Sequence, residues 1–235
     1  MIHVVHAVPR DDVLLGIVRA EHLATKRAPA DLDRRVSRAI ERRSAGLRDE
    51  EEARRVAVRD MLRNGSYRPT GRGKPASEYL LRAAAEEAYT FPRINGPVDI
   101  CNLLSLEHII PVSLWDLDRT PARHFVFRLG RPGEGYVFNR AGQRMDVEDL
   151  VVGCRVQENA EQTETPIVNP VRDSLATKTT PDTSRVAVCI YAPAGVFTTA
   201  SLSEVCRECA ELLAECGDRT QVSLGVVPPE STREI

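Results

Sequence analysis

The residues best placed to do chemistry lie between Pro92 and Asp116, in the run P-R-I-N-G-P-V-D-I-C-N-L-L-S-L-E-H-I-I-P-V-S-L-W-D. Asp99 and Asn102 stand where an apolar helix should begin, and their spacing of three puts both side chains on one side of its first turn. A helix start offers backbone N–H groups and a partial positive charge, which suits a carboxylate, a phosphate or a polarised carbonyl. Other chemistries have less support. Ser105, Ser113 and Ser174 lack a G-x-S-x-G context, against a serine hydrolase of the nucleophile-elbow kind. Cys206 and Cys209 form one C-x-x-C without a second pair or an H-x-x-x-H, so with Cys216 they read as buried thiols on one helix face rather than zinc ligands. The loop Y-R-P-T-G-R-G-K from Tyr67 to Lys74 carries three cations, but its spacing is not that of a phosphate-cradling Walker loop. His3, His6, His22 and His124 show no ligand or triad spacing, and His108 falls on the opposite side of its helix from Asn102.

The chain must position these groups with 235 residues of ordinary globular composition, 42% hydrophobic and 28% charged, with a net charge of −2. That length supports a substantial core. No apolar run approaches a membrane span, and M-I-H-V-V-H-A-V-P-R reads as a first strand rather than a signal peptide. A cytoplasmic protein is therefore expected, with neither a membrane nor DNA as its partner. The six cysteines have no disulfide-framework spacing. Charge is uneven: residues 1–82 hold 18 Lys plus Arg against 12 Asp plus Glu, the remainder 14 against 22. A basic N-terminal third could meet a polyanion such as tRNA; solvated helices with ion pairs inside each helix are the plainer account.

Periodicity and punctuation give the elements. Strands are expected at 2–8, 14–20, 124–129, 136–139, 150–156, 185–191 and 221–227. Helices are expected at 33–44, with Val36 and Ile40 inward and Gly46 as its stop, and at 49–63, with Ala53, Val56, Ala57 and Leu62 inward. A third carries Tyr79, Leu80, Ala83 and Ala84, with Pro75 near its start. A last helix begins at a capping box, Ser201 to Glu204, and runs to Cys216 before Gly217. Residues 157–170, polar with two prolines, read as the longest loop. The final strand-helix-strand unit suits a right-handed crossover. With no repeat or linker, 1–235 reads as a single α+β domain, with mixed sheets in layers and helices outside.

Three motifs then carry a resemblance. I-N-G-P-V-D-I-C-N-L-L-S-L-E followed by P-V-S-L-W-D-L-D resembles the active-site stretch of the editing domain in the bacterial phenylalanyl-tRNA synthetase beta subunit, where the pattern runs I-N-P-V-V-D-V-T-N-Y-V-M-L-E, then Q-P-L-H-A-F-D. Phe127-Arg128-Leu129 and Gly133-Glu134 resemble its next strand and its R-x-A-x-x-G-E element. Free-standing relatives of that domain share R-x-x-G-x-x-P-S-x-E-x-L, similar to Arg72–Leu80, and R-D-S-x-x-T-K-x-T-x-x-T, similar to Arg172–Thr183. The likeness spans roughly residues 30–215.

The resemblance implies that domain's α+β fold and a pocket that binds the 3′ end of an aminoacyl-tRNA and hydrolyses a wrongly attached amino acid, in trans, without metal or cofactor. Such an ester is already activated, so positioning a water and polarising the carbonyl is most of the work. Asn102 would position the carbonyl or water; its structural alternative is a capping or core-satisfying amide. By spacing from Asn102 the family histidine falls on Ser113, the second catalytic candidate, and the acidic residue that reads the tyrosine hydroxyl falls near Cys189. Loss of that acceptor weakens discrimination of a phenol from a phenyl ring. The binding set would comprise Asp99, Cys101, Asp116, Arg128, Glu134, Arg172, Asp173, Ser174, Thr177, Lys178 and Cys189. Within it Asp99 reads as holding the helix start and Asp116 as ordering the turn after Trp115. Arg172 and Lys178 could meet ribose-phosphate or a substrate carboxylate, or Arg172 could form an internal ion pair with Asp173 or a neighbouring acid. The 172–183 loop would close the pocket. Replacement of the family histidine and acid keeps open a binding module without catalysis, and an enzyme acting on another aminoacyl ester or amide.

Overall fold

The chain alternates short strands with amphipathic helices, and the computed structural model, which describes residues 1–86, 88–157 and 162–235, resolves them into two packed sheets and flanking helices. In chain order the elements are β1 (His3–His6), β2 (Val13–Glu21), α1 (Leu32–Ser44), α2 (Asp49–Met61), α3 (Ala76–Ala85), α4 (Gly96–His108), β3 (Val112–Asp116), β4 (His124–Leu129), β5 (Gly135–Val137), β6 (Arg144–Asp146), β7 (Val151–Val156), β8 (Glu164–Val168), β9 (Arg185–Pro193), α5 (Thr199–Ala214), β10 (Gln221–Val227) and β11 (Thr232–Glu234).

One sheet has the order β10-β2-β9-β3, with every neighbour antiparallel. The other has the order β11-β1-β4-β7-β8 and is mixed, because β1 and β4 run parallel. The fold is therefore α+β with layered sheets, as expected. β9 and β10 both run antiparallel to β2, which lies between them, so α5 carries the chain across it.

Near-continuous buried runs along β2, β9 and β3 give the four-stranded sheet two apolar faces. One face meets α5: a Cβ at Gly16 would come within 2.5 Å of Cys206 Sγ. α4 packs on α5 and β3, in the same layer, and on α1 and α3. The opposite face meets the five-stranded sheet, where Trp115 lies with its ring centroid 5.4 Å from Phe125 and Tyr191 lies 6.2 Å from Phe127. Burial of such aromatic pairs contributes about 0.5–1.5 kcal/mol beyond their area. Cys101, Cys154, Cys189, Cys206, Cys209 and Cys216 are all buried free thiols.

Several expected elements change. Residues 157–170 contain β8, and residues 158–161 of that span lie outside the described residues. Pro166 is tolerated because β8 is an edge strand, paired to β7 across a register shift at Gly153/Cys154. The buried stripe of α2 is Glu51, Val58 and Met61, while Val56 is exposed. Val112–Asp116, not expected as a strand, is β3. The capping box of α5 is Thr198 with Ser201, one turn before the expected Ser201–Glu204 pair. Ion pairs in the basic third include the expected local ones, such as Arg55 with Glu52 and Arg82 with Glu86, but others join elements: Arg35 with Glu107 and Glu208, Arg43 with Glu51, Arg55 and Arg59 with Glu78. Among the described residues no helix is long and apolar enough to cross a membrane.

Candidate functional site

Gly96 and Pro97 open α4, with Asn95 as its N-cap accepting the Val98 N–H at 3.2 Å. The Gly96 N–H donates to the Thr25 carbonyl at 3.0 Å, and Pro97 has no N–H to offer. Asp99 reaches back to accept the Ile94 N–H at 2.7 Å and Arg93 Nε at 2.9 Å. The donors of the first turn are thus spent inside the protein, and the expected anion site at this helix start is closed. Glycine is required at position 96 by close approach, since a Cβ there would lie 1.9 Å from the Arg27 carbonyl oxygen. At the other end of α4, Arg43 donates to the Leu106 and Glu107 carbonyls and Arg54 to that of His108. These arginines cap a helix that ends on Ile109 in the left-handed region, φ 57°, without a glycine.

Asn102 lies about two turns beyond Asn95 and so on the same flank of α4. It is half-buried, and its side-chain amide makes no hydrogen bond among the described residues. Cys101 is buried, and burial pushes its thiol far above the ordinary range.

The second motif segment lies against the first. Asn95 Nδ2 donates to Thr179 Oγ1 at 2.9 Å, Ser113 Oγ donates to Asp173 Oδ1 at 2.7 Å, and Thr183 Oγ1 donates to Asp116 Oδ2. Two stretches more than fifty residues apart in sequence are thereby tied at the start of α4 and at both ends of β3. The separate candidates Asn102 and Ser113 are nonetheless not brought together. Ser113 is the register partner of Cys189 and shares a face with Trp115, toward the other sheet and away from the α4–α5 layer. Ser113 is 1% exposed; its hydroxyl also accepts from Tyr191 Oη at 3.2 Å and lies 3.0 Å from the Asn169 carbonyl. Asp173 takes further hydrogen bonds from the Asn169 and Leu114 N–H groups. Burial pushes its carboxyl above the ordinary carboxylate range, opposed by the charge of Lys178 and the Ser113 hydrogen bond. Cys189 is fully buried and its thiol is pushed up by that burial.

The remaining candidates separate into supports and two cations without a carboxylate partner among the described residues, Lys178 and Arg172. Asp116, fully buried, accepts the Asp118 and Arg119 N–H groups and so orders the turn after β3. Ser174 caps a short 3-10 turn over Leu175–Thr177, and Thr177 Oγ1 donates to its carbonyl. Lys178 is exposed. Arg128 pairs with both oxygens of Glu134 at 2.8 Å and with Glu164 at 2.6 Å, a network on β4, β8 and the turn before β5. Arg172 forms no ion pair with Asp173 or with any carboxylate among the described residues, contrary to the internal-pair alternative. Its guanidinium carbon lies 5.1 Å from the ring centroids of both Tyr79 and Phe138, and Nη2 donates to Tyr79 Oη at 2.9 Å.

Tyr79, Tyr136, Phe138 and Asn169 hold this region together without having been named as site residues from the sequence. Tyr136 Oη donates to the Arg172 carbonyl at 2.7 Å, and Asn169 Oδ1 accepts the Val171 and Arg172 N–H groups. Only Tyr79 stood in a quoted motif; the aromatic positions of a short hairpin carry no periodic signal of their own. Glu107, His108 and Glu208 place three ligand atoms within 4.8 Å of one another, but Arg35 already pairs with both carboxylates. Comparison with known protein families and with curated proteins finds no match to this chain.

Proposed function

We propose that this chain binds the aminoacylated 3′ end of tRNA and hydrolyses the ester in trans, with Asn102 positioning the carbonyl or the attacking water. The observation that carries the reading is the Asn102 amide, half-buried and unpartnered on the flank of α4 that Asn95 ties to the Arg172–Thr183 segment. The amide is not among the buried unsatisfied polar groups and so reaches solvent, and an open amide beside two motif segments is placed to meet a ligand or a held water. The ordered motifs supply the substrate class by resemblance, and Lys178, exposed on the tied segment, adds positive charge for a phosphate chain.

Deacylation of a panel of mischarged tRNAs by the wild type and Asn102→Ala tests this. Loss of about 100-fold in rate is expected if the amide supports the reacting carbonyl; no hydrolysis of any member, or an undiminished variant, would sink it. A second reading, binding without turnover, draws on Ser113, whose hydroxyl is buried and engaged by Asp173 and Tyr191. Salt-sensitive tRNA binding with intact ester would support that reading.

A further inference from the structure

Arg172 also lines an open cavity of about 710 Å³ on the side of Tyr67, Gly73 and the β5–β6 hairpin. Its guanidinium packs against two rings, with the Tyr79 and Phe138 centroids each 5.1 Å away. One N–H goes to the Tyr79 hydroxyl, which itself donates to the Gly71 carbonyl at 3.3 Å. A guanidinium held by ring contacts and one hydrogen bond keeps further in-plane N–H groups to offer, and such an edge matches two oxygens of one oxyanion. Arg72 and Arg144 reach the same cavity, both exposed and neither paired with a carboxylate among the described residues. This is unusual in a chain whose arginines so often find acids, as Arg35, Arg43, Arg55, Arg59 and Arg128 do. Against three cations stands Asp146 at the rim, one of whose oxygens accepts the Glu148 N–H at 2.9 Å.

We propose that this cavity is a phosphate-ester site, with Arg172 gripping the phosphate edge-on and Arg72 and Arg144 flanking it. Three guanidiniums around one acid exceed what a single carboxylate needs, and they suit a phosphate carrying up to two charges. Phe138 and Tyr67 give the organic part of the ester an aromatic wall. The site deepens the proposed function but depends on that reading only for the identity of the carrier, a tRNA backbone or a free phosphorylated molecule.

Calorimetric titration of the full chain with AMP, adenosine and deacylated tRNA tests the site. AMP is expected to bind at least about tenfold tighter than adenosine, with affinity falling as salt rises. Arg172→Lys keeps the charge but loses the fork, and should weaken AMP at least about tenfold. Because Arg172 packs against two rings, Arg72→Gln with Arg144→Gln provides a second test at exposed positions; it should weaken AMP and flatten the salt dependence. Equal binding of AMP and adenosine, no AMP binding, or AMP affinity unchanged in both variants would overturn the site. Displacement of AMP by tRNA identifies the RNA backbone as carrier. AMP binding that depends on Arg172 without tRNA competition keeps the site, for a free phosphate ester, while the tRNA reading falls. Binding of tRNA with AMP absent and Arg172→Lys unaffected reverses that outcome: the tRNA reading stands and the site falls.

Discussion

Ser113 and Asn102 show how burial assigns different work to two small polar side chains. Ser113 donates to Asp173 from a position 1% exposed, between two sheets, and accepts from Tyr191. Its hydroxyl satisfies a half-buried acid whose other donors are backbone N–H groups of Leu114 and Asn169. Ser113→Ala should therefore cost about 1–3 kcal/mol of stability by leaving Asp173 short of a donor, read as a lower urea midpoint. Ligand binding at native conditions should be unchanged; loss of binding with the urea midpoint intact would return Ser113 to the ligand. Asn102 has the opposite profile, since its amide makes no hydrogen bond among the described residues.

At the scale of elements, α4 is fixed at both ends by groups from elsewhere. Thr25 takes the Gly96 N–H, while Arg43 and Arg54 take the last carbonyls. Gly96→Ala should destabilise the protein by at least about 2 kcal/mol, because the new Cβ meets backbone that cannot move alone; a melting temperature equal to the wild type would disprove that packing. Much of this scaffold was legible. The strands at 13–21, 124–129, 151–156 and 221–227 follow their apolar patterns, and Gly46, at φ 94°, stops α1 where glycine signalled a stop. What escaped was set by partners distant in sequence. β8 hides behind Pro166, which only an edge strand tolerates. The inner face of α2 includes Glu51, a residue that hydropathy places in water. Burial pushes its carboxyl up, but the hydrogen bonds from Arg48, Arg43 and Arg42 prevail and hold it far below its ordinary range. The motif segments were legible as motifs; that they meet through Asn95–Thr179, Ser113–Asp173 and Asp116–Thr183 was not, since no local pattern encodes such pairs.

Across the whole molecule, one charge network joins three helices. Glu208 of α5 accepts from His108 of α4 at 2.9 Å and pairs with Arg35 of α1, which also holds Glu107 at 2.7 Å. The hydrogen bond from His108, with that from Arg35, outweighs burial and lowers the Glu208 carboxyl from 4.5 to about 2. A lowered folded-state value means its stabilisation is complete above pH 4.5 and is lost as pH falls toward about 2. Allowing for partial exposure, about 1–2 kcal/mol of acid sensitivity should disappear in Glu208→Gln, seen as a shallower decline of the urea midpoint between about pH 5 and about pH 3; equal slopes would exclude Glu208 as the source. The stitching of the 172–183 segment to α4 and β3 bears on kinetics as well. A segment with Thr179, Asp173 and Thr183 already committed to partners stands in place along α4 and β3. For the guest proposed above, encounter at such a preformed segment would be governed by diffusion and charge rather than by waiting for a rare open form, so its arrival rate should follow ionic strength and its residence time the grip of the standing surface.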